Sequence, residues 1–316
     1  MKVNKATFDD LEALELLAAK ARMIVVTQMG PRIGSLMRLG GQEIMFQDLG
    51  MKLFRLGQWG VGYGTRLWPF RDIWADEAQE VYRPDNDVCA VEEKGDWIRI
   101  TGAVDPVSQI ERGFAIRENA AGCFNVVSFI TNRSKERFPW SGGCWDITAV
   151  RPHDCSIGVL LGDPKSNWDS EMYRIVRRWS SHQTEPEWRR QQLKFYDDLV
   201  VVEPHGFEGK IMVQSPQGVI VVRTADTSFF KVTDGWKPES AGLYPGGVYN
   251  TAVYTSPFRN EPDKGFAEAE TMGAKHLMLE AGQTLEHLVR YGLTDKPFPW
   301  EDAEGLRLFA NQLKED

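Results

Sequence analysis

From Ala21 onward the chain is cut into short apolar or alternating runs, each closed by Gly, Pro, Asn or Asp. They are Met23 to Thr27, Glu43 to Phe46, Trp97 to Thr101, Cys123 to Thr131, Ile157 to Leu161, Leu199 to Val202, Lys210 to Gln214, Gly218 to Thr224, Ser228 to Val232, Tyr249 to Tyr254, Phe266 to Gly273 and Thr284 to Tyr291. A dozen short strands with frequent turn signals and few helices between them predict antiparallel β, as a sandwich or a barrel. The fold class is all-β. At 316 residues the chain is long for one domain, yet single all-β domains commonly reach about 200 to 250 residues. One large domain with trimmings, or two intimately packed ones, is expected.

Three segments break the pattern. At the N-terminus Thr7 can cap a helix, Asp9 and Asp10 sit in its first turn, and Leu11, Leu14, Leu16, Leu17 and Ala18 follow near helical spacing, which predicts a helix within residues 1–20. In 165–198, Trp168, Met172, Ile175, Val176 and Trp179 fall at helical intervals, a helical insertion that would cover an open sheet face or form a lid over a pocket. A short final helix is expected near Trp300 to Leu313, within an extension over 294–316. The β domain then spans 21–293.

Charge narrows the partners. With 37 basic and 45 acidic residues the net charge is −8, and no Lys/Arg cluster stands out, so neither nucleic acid nor an anionic membrane is an expected partner. No uninterrupted apolar run approaches the roughly 18 residues that span a bilayer. The acidic N-terminal stretch lacks the apolar centre of a signal peptide, which predicts a cytoplasmic protein. Cys89, Cys123, Cys144 and Cys155 show no CxxC and no short Cys/His spacing, so buried thiols are expected rather than a zinc site. GxGxxG after a strand, GxxxxGK[ST], GxSxG and HExxH are all absent. No cofactor and no metal is expected, and oligomeric state is not legible.

Tryptophan stands out instead. There are 11, against 8 Tyr, and several lie in polar, Gly-rich surroundings: Trp59 and Trp68 bracket GVGYGTRL, while Trp140 and Trp145 bracket SGGC. Such a Trp can offer its flat face to the apolar side of a sugar ring, or it can fold back over a sheet edge. In Phe266-Ala-Glu-Ala-Glu-Thr-Met, strand alternation puts Glu268 and Glu270 on one face, about 7 Å apart. Two such carboxylates repel when both ionise, which suits a general base or the gripping of a diol, and equally fits a solvated outer face. Arg66 in GTRLWP and Lys231 in TSFFKV are the cations that would balance them or remain surface charges; Arg66, between Gly and Trp, is better placed to fork onto ligand oxygens. Of the five histidines, His182 and His153 near the helical segment are candidate acids, and none lies in a recognisable motif.

The order ARMIVVTQMGPRIGSLMRLGGQEIMF, YGTRLWP, ITNRSKERFPWSGGCWDIT, FEGKIMV, TSFFKV, YNTAVYTS and FAEAETMGAKHLMLEAGQTLEHLVRYGL resembles the DUF4380 family of the galactose mutarotase-like superfamily. The resemblance implies a β-supersandwich, a large antiparallel double sheet whose concave face binds sugars. It also implies that a Glu near the C-terminal end, best matched by Glu270 and next by Glu268, removes the anomeric hydroxyl proton. Arg66 matches an arginine on the loop that reaches the sugar. Trp68, Trp140 and Trp145 would stack on the ring, and Lys231 would hold an oxygen. The Asn-His-x-Tyr-Phe-Asn pattern that supplies the epimerases' histidine is missing: Thr131-Asn132-Arg133-Ser134 stands there, followed by Pro139-Trp140. The general acid is thereby unassigned, with His182 and His153 as the candidates. An aldose 1-epimerase-like mutarotase, a non-catalytic sugar-binding or sensing protein, and a lyase-type glycan-processing enzyme are all compatible with the chain.

Overall fold

The structure, a computed structural model of the chain, describes residues 1–43, 45–50, 52, 55–56, 59–60, 62–70, 83–135, 140–150, 156–160, 173–177, 200–204, 210–214, 220–225, 251–255, 267–272 and 276–294. In chain order the strands are β1 (Lys2–Phe8), β2 (Leu11–Leu17), β3 (Ala21–Val26), β4 (Arg32–Arg38), β5 (Arg55–Leu56), β6 (Trp59–Gly60), β7 (Thr65–Phe70), β8 (Ala90–Lys94), β9 (Trp97–Thr101), β10 (Ile110–Glu118) and β11 (Phe124–Asn132). They continue as β12 (Trp140–Val150), β13 (Ser156–Leu160), β14 (Tyr173–Arg177), β15 (Val200–Pro204), β16 (Lys210–Gln214), β17 (Ile220–Ala225), β18 (Thr251–Thr255), β19 (Ala267–Met272), β20 (His276–Leu279) and β21 (Thr284–Thr294).

Among the described residues these strands make two large antiparallel sheets. The first runs β1-β2-β3-β4-β7-β12-β19-β18-β15-β14, with β20 pairing β12; the second runs β13-β16-β17-β21-β11-β10-β9-β8. The core lies between them. Leu16, Met23, Val25, Leu67 and Cys144 from the first sheet meet Ile98, Ile100, Phe114, Val126 and Val289 from the second in one buried cluster. The strand period of two explains it, since Ile98 and Ile100 are buried while Trp97, Arg99 and Thr101, which alternate with them, are only partly so. Polar side chains also cross the gap in bonded pairs: Ser128 Oγ donates to Asp146 at 2.8 Å, and Thr271 Oγ1 meets His287 Nε2 at 3.0 Å. Such pairing is what a dry interior demands of a polar group.

The expected N-terminal helix is instead a β-hairpin. Phe8 pairs Leu11, so Asp9 and Asp10 form a two-residue turn, and their φ angles of 50° and 61° match the positive values that tight hairpin turns require. Asp tolerates that region because its short side chain bonds locally. The leucines are two strand faces, not one helix face. Leu14 and Leu16 point into the main core, whereas Leu11 and Phe8 cover a separate cluster of Val26, Met29 and Tyr63. Tyr63 OH and the Gly50 amide both donate to the Asp9 carboxylate, fastening the turn to the segments that precede β7 and β5. Within 165–198 the described piece, β14, is likewise a strand paired with β15, not a helix. Trp168, Met172 and Trp179, and the C-terminal stretch 300–313, lie outside the described residues. No helix among the described residues is long and apolar enough to cross a membrane.

Cys89, Cys123 and Cys144 are free and buried. Burial pushes the first two thiols up to about 12 and the third higher still. Thiolate is the reactive form. In native protein at pH 8, iodoacetamide should therefore leave these three unmodified by peptide mass spectrometry, and all three should label once denaturant is added; native labelling of any of them would contradict its placement.

Candidate functional site

The site begins with the alternation of β7. Thr65 faces the interior, where its Oγ1 meets Thr148 Oγ1 at 2.6 Å, and Leu67 joins the core. Arg66 and Trp68 therefore leave the outer face of the first sheet. On the neighbouring β12, Trp145 stands opposite Trp68 and Ile147 opposite Arg66. On β19, beyond β12, Ala269 and Thr271 face the interior, which turns Glu268 outward. Three adjacent strands thus bring Arg66, Trp68, Trp145 and Glu268 to one face.

Arg66 and Glu268 sit on strands separated by one other, roughly 10 Å across the sheet, a gap that the long arginine side chain closes. Arg66 Nη2 donates to Glu268 Oε1 at 2.5 Å, and the two side chains are 3% and 7% exposed. The Arg66 guanidinium carbon lies 4.7 Å from the centre of the Trp68 ring, within cation–π range. Trp68 and Trp145 meet edge to face, with centroids 5.5 Å apart and planes at 81°. A charged pair that has lost most of its water beside two indoles interacts far more strongly than it would at the surface.

A second buried cluster adjoins the first. Arg32 on β4 is the direct register partner of Arg66, so both side chains leave the same face. Arg32 donates to Gly60 O at 2.8 Å, to Asp85 Oδ2 at 2.8 Å and to Asn86 Oδ1 at 3.0 Å; Asp85 and Asn86 lie on the short 3₁₀ turn Arg83–Asn86. The other Asp85 oxygen lies 3.3 Å from Nη2 of Arg112, which comes from β10 of the second sheet. Burial pushes the Arg32 guanidinium down from its ordinary value, and Asp85 is the largest influence opposing it. Burial and the Asp9 carboxylate together push the nearby Tyr63 hydroxyl up.

The residues singled out in the sequence thus have different placements. Arg66, Trp68, Trp145 and Glu268 converge. Glu270 occupies the register position between Ile147 and Ala252, in the row of Arg66; its backbone alone is described. Trp140 opens β12 on the opposite side and packs in the core between the sheets. His182 and Lys231 lie outside the described residues. Sequence reasoning missed Arg32 and Asp85. The one signal for Arg32 was a lone cation heading the otherwise uncharged run Ile33-Gly34-Ser35-Leu36-Met37, and Asp85 in Arg-Pro-Asp-Asn reads as an ordinary turn.

Chemically, a guanidinium offers only donors and a carboxylate only acceptors, so the pair together matches hydroxyl groups, which do both. A carboxylate in such surroundings can also take a proton. Among the described residues no group of three His, Cys, Asp or Glu is arranged to hold a metal ion.

No family model matches the chain. No curated protein matches it by sequence. Solved structures do match in fold. A candidate aldose 1-epimerase from Escherichia coli K12 superposes with a TM-score of 0.58 at 12% identity, covering 93% of this chain and 99% of that one. A galactose mutarotase-like protein from Lactobacillus casei gives a TM-score of 0.57 at 12% identity, covering 89% and 100%. A TPR-domain containing protein from Parabacteroides distasonis gives 0.61 at 14% identity, and the match takes in 92% of this chain but 48% of that longer one. The chain has a galactose mutarotase-like sandwich fold.

Proposed function

We propose that the outer face of the first sheet around Arg66, Glu268, Trp68 and Trp145 is a carbohydrate site, and that the protein is an aldose 1-epimerase-like mutarotase of the DUF4380 kind. The observation that carries the reading is the buried Arg66–Glu268 pair beside the indoles. It combines a forked donor, an acceptor and apolar ring surface on a fold shared with the mutarotase-like structures. In this reading Glu268 holds Arg66 in place, Arg66 donates to ring or hydroxyl oxygens, and the ring packs against Trp68 and Trp145. Glu270, in the same register row as Arg66, takes the anomeric hydroxyl proton. The hemiacetal opens when the ring oxygen is protonated and closes again on the other face. His182 is the residue to test as the acid.

Purified protein is tested first by thermal shift against neutral hexoses, pentoses, uronates and sugar phosphates, because ligand at about 100 times Kd stabilises by about 2.7 kcal/mol. For a sugar that binds, anomer exchange is followed by NMR. Glu270→Gln should slow enzymatic exchange by about 10²- to 10⁴-fold while the sugar still shifts the melting temperature. Exchange at the wild-type rate in that variant would remove Glu270 from its role. Binding with no acceleration in the wild-type protein would make this a sugar-binding or sensing protein, and an ultraviolet-absorbing unsaturated product would make it a lyase.

A further inference from the structure

We propose that the outer face of the second sheet, opposite the face that carries Arg66 and Glu268, binds an extended acidic saccharide along a row of cations. The proposal stands apart from the reading of the first sheet. Backbone register builds the row. On β9, Trp97 pairs Lys94 of β8, and it lies one step beyond the Ile98–Ile116 pair that joins β9 to β10. Arg117 of β10 pairs Asn125 of β11, Asn125 pairs Arg290 of β21, Arg290 pairs Thr224 of β17, and Thr224 pairs Lys210 of β16. Ile116, Val289 and Tyr291 enter the core, so Arg117 and Arg290 leave the outer face. Cationic residues thus occupy the row at every second strand, about 10 Å apart. That spacing is near the screening length at about 0.1 M salt, so the row tolerates its like charges without an acid between them.

Little on this face occupies those charges. Arg117 meets Asp96 at 3.6 Å, and the Asp96 side chain is 71% exposed, so water weakens the pair. The Nε atoms of Arg117 and Arg290 are buried and have no hydrogen-bond partner among the described residues. Buried donors of that kind are uncommon in folded proteins. The outward acids Glu92, Glu111 and Glu286 lie one, three and two rows away along their strands, and Glu111 accepts from Arg133 at 2.7 Å. Beside the cations runs an apolar strip of Ala115, Val127 and Leu288, in register and half-buried. Trp97 is half-buried too, with the Arg117 guanidinium carbon 4.8 Å from its centre. Guanidinium groups that fork onto carboxylates, next to apolar surface, suit a sugar acid, which carries both kinds of group. In an extended chain of such sugars whose rings alternate in orientation, the carboxylates on one side recur at every second ring. Each ring advances the chain by about one strand spacing, so the carboxylate and cation repeats agree. A nucleic-acid phosphate chain would ask for a denser cluster of cations, and the net charge of −8 opposes it.

The test is calorimetric titration of the full chain with a mannuronate hexasaccharide, with cellohexaose as a neutral sugar chain and hexaglutamate as a carboxylate chain without rings. The mannuronate should bind, and raising salt from about 0.05 M to about 0.5 M should weaken it about tenfold. Each comparison chain should bind about tenfold more weakly or less. Arg117→Gln and Arg290→Gln should each lower the affinity about tenfold, and the two together about a hundredfold. Lys5→Gln, an equal loss of charge at an exposed position of β1 in the first sheet, should leave it unchanged. In NMR spectra the Trp97 indole signal should shift on titration while that of Trp68 stays. Unfolding midpoints of the variants are read first; should Arg290→Gln not fold, Arg117→Gln decides, because the Arg117 side chain is 32% exposed. No binding of the mannuronate, equal binding of hexaglutamate, or equal losses in Lys5→Gln and Arg117→Gln overturns the proposal. A shift of the Trp68 indole in place of Trp97 also overturns it, since the acid would then sit on the first sheet.

Discussion

Arg66→Leu should lower the free energy of unfolding by about 3–5 kcal/mol, because it takes the guanidinium partner away from the buried Glu268 carboxyl. In a chain of this size that corresponds to a fall in melting temperature of roughly ten degrees. Changing both members, Arg66→Leu with Glu268→Leu, should recover most of the loss, since an apolar pair of similar volume needs no desolvation to be reversed. Denaturant unfolding of the two variants checks both statements. An exposed ion pair would behave differently, costing about 0.2–1 kcal/mol on removal of either partner. A loss that small in Arg66→Leu would mean that the pair is wet, and the strong, dry donor invoked for the ligand would go with it. Recovery of stability in the double variant without recovery of sugar binding is the expected separation of fold from site. Trp68 enters the same result, since its ring lies against the guanidinium that the substitution removes.

The strands were legible where alternation and turn residues agreed. Trp97 to Thr101, Phe124 to Asn132 and Thr284 to Thr294 lie where the apolar runs placed them, because each buries one face and ends at a residue that turns the chain. The N-terminus was misread for a physical reason. Strand β2 buries leucines on both of its faces, and two apolar faces in alternation mimic the three-and-four spacing of a helix. Asp9 and Asp10, which suit a first helical turn, suit a tight hairpin turn equally. Within the site, Arg66, Trp68 and Glu268 were each visible as residue types in context. Their meeting was not, because Arg66 and Glu268 are separated by 202 positions and are joined only once β12 inserts between their strands. Trp140 and Trp145 show the remaining gap. Both flank the same Gly-rich stretch, and read as a loop they seem equivalent; on a strand, positions an odd number apart face opposite ways, so one enters the core and the other reaches the site.

Gly113→Ala should cost about 3 kcal/mol, the upper part of the range for overpacking a filled space, and lower the melting temperature by roughly six to twelve degrees. Gly113 lies in the middle of β10, between Thr101 on β9 and Phe129 on β11. A methyl group there would come within 2.3 Å of the Ile100 carbonyl oxygen and 2.3 Å of the Phe129 ring. Neither neighbour yields easily. The carbonyl belongs to the paired backbone of β9, and the ring is fully buried with the Arg99 guanidinium 3.6 Å from its centre on the outer side of the second sheet. The glycine is thus the space into which Phe129 folds, an aromatic covering a bare strand position on its neighbour. Phe129→Leu in the Gly113→Ala background removes the ring contact but not the carbonyl contact, so thermal unfolding should show recovery of part of the loss. Full recovery would assign the whole effect to the ring, and no recovery would assign it to the β9 backbone. A melting temperature within one degree of wild type for Gly113→Ala alone would mean that β9, β10 and β11 do not lie in this register.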